Sequence, residues 1–231
     1  MSDQVWRPIK CAADLPPIGT SPSQTLKFDE IDKADQAVLE WYDHHFVPCD
    51  ISCKTFDWRL MGGTEAVQDK HVLNIGPSYP TDEVALGGRA KSWTSIDFSA
   101  EVVARLEQIR VPLQRITGVP FHFRQADMRE LPFNDGLFDI VLDFSSSDHV
   151  QHGRDKVRSE MFRVLKTGGI CVVTYANINH FPDKVAEAFG DYGYEHRFTP
   201  HELEAEMLEA GFIILNRDVS DFSERRGERL L

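Results

Sequence analysis

Apolar and polar positions along this chain follow two periods. From 24 to 46 the apolar residues Leu26, Ile31, Ala34, Val38, Leu39 and Tyr42 recur at helical spacing. From 71 onward short apolar runs alternate with amphipathic stretches. The runs predict strands at about 71–75 (HVLNI), 93–97, 120–126 (PFHFRQA), 137–144 (LFDIVLDF) and 170–175 (ICVVTY). Between them fall a short helix from about Pro80, ended by Gly87-Gly88, and a longer one capped at Ser99 and running to about Ile116. A third helix, from about Arg154 to Leu165, ends at Lys166-Thr167-Gly168-Gly169, which opens the fifth strand. Further helices are predicted near 182–189 and from Thr199-Pro200-His201-Glu202, which has capping-box spacing and a proline at the first helical position. A last apolar run, FIIL, follows Gly211. This alternation predicts an α/β domain, a mostly parallel sheet covered by helices on both faces. Residues 1–23 are Pro-rich and aperiodic, and 47–58 are irregular. The expected organisation is an N-terminal arm and helical lid over 1–64 and the α/β domain over 65–231.

Composition narrows the partners. With 231 residues the chain fits one decorated domain. A formal net charge of −12 disfavours nucleic acid, whose phosphates need a clustered basic surface. Arg124, Arg129, Arg154, Lys156, Arg158 and Arg163 are the ingredients of a local basic patch, but most read as solvated helix faces. Four cysteines make no disulfide framework in a chain this long, and Cys171 reads as a small core residue. No apolar run approaches the ~20 residues of a membrane span, and the first residues lack a secretory pattern. The expectation is a cytoplasmic protein bound to neither nucleic acid nor membrane.

Candidate chemistry collects where strands end. The turn at Gly76 after the first strand has the layout of a nucleotide cradle. Asp97, closing the second strand, suits two ribose hydroxyls, although an acid there also suits a turn or cap. Asp143 is the most unusual, because an acid inside IVLDF is costly to bury without a partner. His44, His45, Cys49 and Cys53 lack the paired Cys-x2-Cys spacing of structural zinc sites, so no metal is predicted. The aromatic residues Trp41, Tyr42, Phe46, Phe56 and Trp58 suit a lid, or simple packing of the first helix onto the sheet.

The run ADMRELPFNDGLFDIVLDFSSSDHV, followed by EMFRVLKTGGICVVTY, resembles the class I S-adenosylmethionine-dependent methyltransferases of small-molecule type. The resemblance covers about 70–215. It implies a Rossmann-like sheet of seven strands, the last antiparallel, with HRFTPHELEAEMLEAGFIIL as the final helix and strand. It also implies S-adenosylmethionine as cofactor, held by Gly76, Pro77, Ser78, Asp97, Phe98, Asp127, Met128, Asp143, Phe144 and Ser145. Asp127 would take the adenine amino group, with the Met128 N–H facing the ring. His149, aided by Asp148, is the candidate general base, and Tyr42 and Tyr175 the candidate acceptor contacts.

Departures fall in the first loop. The family pattern is acid-x-Gly-x-Gly-x-Gly, whereas this chain has Asn74, Gly76, Ser78 and Pro80. Serine adds a Cβ where backbone should approach the ligand, and proline removes an N–H. Asn74 supplies no charge near the methionine ammonium; Asp82 and Glu83 are candidates to replace it. The expected activity is methyl transfer to a hydroxyl or amine of a small molecule. The alternative is a non-catalytic relative that keeps the fold and binds a different ligand, or none.

Overall fold

A computed structural model describes residues 61–77, 80–175, 196 and 198–217. The predicted lid helix, the histidine–cysteine cluster, the aromatic group and the helix near 182–189 lie outside these residues. Five strands form one sheet: β1 (His71–Ile75), β2 (Ser92–Asp97), β3 (Phe121–Gln125), β4 (Phe138–Phe144) and β5 (Leu165–Thr174). Their order is β3-β2-β1-β4-β5 and every pairing is parallel. The chain turns one way from β1 to β3 and the other way from β4, so β1 and β4 flank the point where strand order reverses. Open α/β sheets bind ligands in the crevice beyond the carboxyl ends of strands at that point.

The connections are α1 (Thr81–Ala85), α2 (Ala100–Thr117), α3 (Arg154–Val164) and α4 (Pro200–Glu209). Strand alternation sorts the core into two layers. Val72, Trp93, Ile140 and Leu142 pack with Val102, Leu106, Ile109 and Leu113 of α2. Leu73, Ile75, Ile96 and Val141 pack with Val157, Met161 and Val164 of α3. Helix boundaries follow the caps read from the sequence. The Ser99 hydroxyl accepts from Val102 N–H at 3.1 Å, Thr199 accepts from Glu202 N–H at 3.2 Å, and α2 stops at Gly118 in the left-handed region. Replacing Ser99 with Ala should cost about 1 kcal/mol in urea denaturation, the scale of one lost N-cap.

Two elements differ from expectation. Strand β5 begins at Leu165 rather than at 170: Phe138 pairs with Leu165 and Ile140 with Ile170, so 166–169 bulge between them. The bulge needs Gly168 at φ +78° and Gly169, where a Cβ would lie 2.9 Å from the Asp139 carbonyl oxygen. Lys166 reaches Asp139 from inside the bulge at 2.8 Å. The FIIL run, read as a closing antiparallel strand, takes no strand conformation, and Ile213 and Leu215 are more than four-fifths exposed. Among the described residues the sheet therefore has five strands, all parallel.

Candidate active site

Register brings the widely separated candidates to one edge. Ile75 pairs with Ile96 and with Asp143, and Asp97 pairs with Gln125. The turn holding Asp127, then Asp97, Gly76 and Phe144 thus follow one another across the carboxyl ends of the strands. Gly76 has φ +62° and donates its N–H to the Ile96 carbonyl at 2.8 Å. A Cβ at this position would lie 2.4 Å from Ser146 Oγ. That hydroxyl donates across the Ile75 and Gly76 carbonyls, at 3.0 and 2.9 Å, and stitches the end of β1 to the turn after β4.

That turn is built from three serines with three anchors. Ser145 is exposed at φ +56°, a left-handed conformation uncommon for serine, and donates its N–H to the Thr174 carbonyl at 3.1 Å. Ser146 holds β1. The Ser147 hydroxyl donates to Asp143, whose carboxylate also accepts the N–H groups of Ser146 and Ser147 at 3.2 and 3.1 Å. Beneath the turn Arg158 of α3, fully buried, reaches Asp143 at 3.2 Å and Ser147 Oγ at 2.7 Å. Its Nε lies 3.4 Å from Glu206 of α4, which also pairs with Arg154 at 3.1 Å. Both guanidiniums lie over the Phe198 ring, at 5.2 Å for Arg154 and 5.9 Å for Arg158. The buried acid noticed in the sequence thus has its partner in an arginine read there as solvated.

Asp97 closes β2 half-buried, and its Oδ1 accepts the Ser99 N–H at 2.9 Å. The Phe98 carbonyl accepts from Gln125 at 3.0 Å, tying the β2 and β3 ends together. Asp127 is held by its own loop: Arg129 donates N–H and Nε–H to Oδ1 at 2.8 and 3.0 Å, and Nε–H and Nη2–H to Oδ2 at 3.0 and 2.8 Å. Met128 packs partly buried on the α3 layer, while Pro77 and Phe144 are buried beside the crevice. Asp148 and His149 occupy a short 3-10 turn after β4; Asp148 is buried, His149 half-buried, and His149 N–H donates to the Ser146 carbonyl at 3.2 Å. Tyr175, at the end of β5, meets Phe198 edge-on at 5.4 Å, and burial raises its phenol pKa. Ser78 and Tyr42 lie outside the described residues.

A further acid underlies the Gly76 turn. Glu83 of α1 is fully buried, and its Oε1 accepts from Asn74 Nδ2 at 3.0 Å, Trp93 Nε1 at 3.2 Å and Ser95 Oγ at 2.5 Å. Burial first and the charge of Asp82 second push its carboxyl up to about 7, against the pull of the Ser95 and Asn74 hydrogen bonds. Asn74 therefore donates to a carboxyl group of α1 instead of supplying one itself.

Residues 73–173 match the family model for a methyltransferase domain. No curated protein is similar at a significant level. Among solved structures, the [4+2]-cyclase SpnF is 23% identical with a TM-score of 0.53, covering 72% of this chain and 58% of its own. A SAM-dependent methyltransferase from Methanosarcina mazei is 19% identical with a TM-score of 0.52, covering 68% of this chain and 87% of its own. One from Mesorhizobium loti is 14% identical with a TM-score of 0.54, over 71% and 84%. This chain spans less than two thirds of the cyclase's length. At these identities the structures show a shared fold. Residues 73–173 thus resemble a methyltransferase domain, and the S-adenosylmethionine-dependent methyltransferases among the solved structures share its fold.

Proposed function

We propose that the protein transfers the methyl group of S-adenosylmethionine to a hydroxyl or amine of a small-molecule acceptor. The observation that carries this reading is the register of the sheet, which sets the Asp127 turn, Asp97, Gly76 and the Ser145 turn in that order along the carboxyl ends of neighbouring strands, with Gly76 and Ser145 flanking the strand-order reversal. The donor set fits the group. Gly76 supplies a left-handed turn at the end of β1, Asp97 offers a half-buried carboxylate, and Glu83 has a buried oxygen without a partner among the described residues.

In this reading Asp97 holds the ribose hydroxyls, Met128 and Phe98 border the adenine, and Ser145 and Phe144 face the methionine arm. When bound, the cofactor supplies an electrophilic methyl on a sulfonium. His149, with Asp148 beside it, accepts the proton that leaves the acceptor as its oxygen or nitrogen forms the new bond to carbon. Tyr175 and Tyr42 border the acceptor. Alignment supplies most of the rate, because in-line displacement needs geometry more than acid–base help.

Replacing Asp97 with Ala should weaken cofactor binding by about 1.5–3 kcal/mol, roughly ten- to hundredfold, the scale of hydrogen bonds to a charged group. Calorimetry with S-adenosylhomocysteine tests it, and unchanged affinity would remove Asp97 from the site. A second reading, a non-catalytic relative with an altered ligand, is favoured by the closed Asp127–Arg129 fork. It predicts no thermal shift with either adenosyl compound at millimolar concentration, whereas a ligand at 100 times its Kd stabilises by about 2.7 kcal/mol.

A further inference from the structure

The Glu83 carboxyl group is half satisfied. One oxygen takes three neutral donors; the other, Oε2, is buried with no hydrogen-bond partner among the described residues. Its placement is not that of an ordinary core acid. Asn74 and Ser95 are register partners on β1 and β2, so the group bonds to both strands two residues short of Gly76 and of Asp97. Among the described residues no ion pair reaches it. Asp82 adjoins it on α1 and repels its charge. Arg89, in the turn after α1, is paired with Glu65, and Arg105 on α2 with Glu101. Strand β2 contributes Asp97 at its end, another negative group, while β1 contributes His71 at the far end against Ser92. Burial and the charge of Asp82 favour the protonated carboxyl, and an arriving cation favours the carboxylate.

We propose that Glu83 is the counter-charge of the bound cofactor and gives up its proton when the cofactor binds. This rests on the reading above. In that reading the cofactor brings two positive centres, a sulfonium and an ammonium, to the turn after Asn74, whose amide donates to this carboxyl group. The Glu83 O–H bond breaks, the proton passes to the buffer, and the electron pair stays on the carboxylate facing the cation. The same geometry accounts for asparagine at 74. Its amide donates to Glu83 and fixes the direction of the carboxyl group, so the negative charge moves from strand to helix rather than disappearing.

Isothermal titration calorimetry in phosphate and in Tris, which differ in ionisation enthalpy, reads the proton directly. The full chain at pH 7 should release about half a proton per S-adenosylhomocysteine or S-adenosylmethionine bound, nearly a full one at about pH 6 and almost none at about pH 9. Affinity should rise with pH through this range. Adenosine, which lacks the charged arm, should release none. E83Q should bind with buffer-independent heat and flat pH dependence; if it fails to fold, the buffer and adenosine comparisons on the unaltered chain decide alone. Binding with no proton release at any pH, or equal release with adenosine, overturns the proposal and leaves the methyltransferase reading standing. No binding of either adenosyl compound overturns both.

Discussion

Replacing Arg158 with Met should destabilise the domain by about 3–5 kcal/mol, the usual loss when one member of a buried ion pair is removed. For a chain of this length that corresponds to a fall in Tm on the order of 10 °C. The size follows from burial: the Asp143 and Arg158 side chains are 0% and 1% exposed, so the stranded carboxylate has no route to water. The Ser146 and Ser147 donors remain and soften the loss. The D143N/R158M pair should recover most of it, because an uncharged amide keeps those contacts without an unpaired charge. Urea unfolding of the three variants supplies the cycle. A loss under ~1 kcal/mol for R158M, or no recovery in the pair, would show that the ion pair does not hold this turn.

The same arginine ties α4 to the crevice. Glu206 touches Arg158, Arg158 touches Asp143 and Ser147, and the turn they brace carries Ser145, Asp148 and His149. The last described helix is thereby fastened to the proposed reaction centre through charge as well as apolar packing, and Phe198 fills the space beneath both guanidiniums.

What the sequence displays, and what it hides, divides by physical range. Strands β1, β2 and β4 and the caps at Ser99 and Thr199 are legible because strand alternation and capping are local. Arg158 is not, since a charged side chain on an amphipathic helix is usually solvated. The signal was split between two places: an acid in an apolar strand needing a cation, and an arginine three residues before Met161 on the buried face of α3. Glu83 was legible only as a nearby acid. Its contact with Asn74 depends on α1 folding back over β1, a tertiary fact. The Arg129 fork on Asp127 is local yet hidden, because nothing in an Asp-x-Arg spacing says whether the carboxylate faces its own loop or a ligand. The bulge at 166–169 was masked by a Thr-Gly-Gly composition that equally suits a connecting loop.

Gly76→Ala should be the most damaging single change in the crevice, for two separable reasons. Alanine in the left-handed region costs roughly 1–2 kcal/mol. Its Cβ would also overlap Ser146 Oγ and Cβ, at 2.4 and 2.6 Å, and relieving that contact costs roughly 1–3 kcal/mol more. The Ser146 side chain cannot simply turn aside, because its hydroxyl is bound to the Ile75 and Gly76 carbonyls and its backbone to Asp143. Strain would therefore reach Asp143 and Ser147, and S-adenosylhomocysteine affinity should fall more than tenfold. Ser146→Gly discriminates between the two causes. Alone it should destabilise, losing a hydroxyl bridge and gaining backbone freedom; beside Gly76→Ala it should cost less or stabilise, since it opens the space the methyl needs. A coupling of at least ~1 kcal/mol between the two changes is expected from denaturation. Strictly additive losses would mean that the backbone angle alone makes glycine necessary, and that Ser146 braces β1 without filling the cradle.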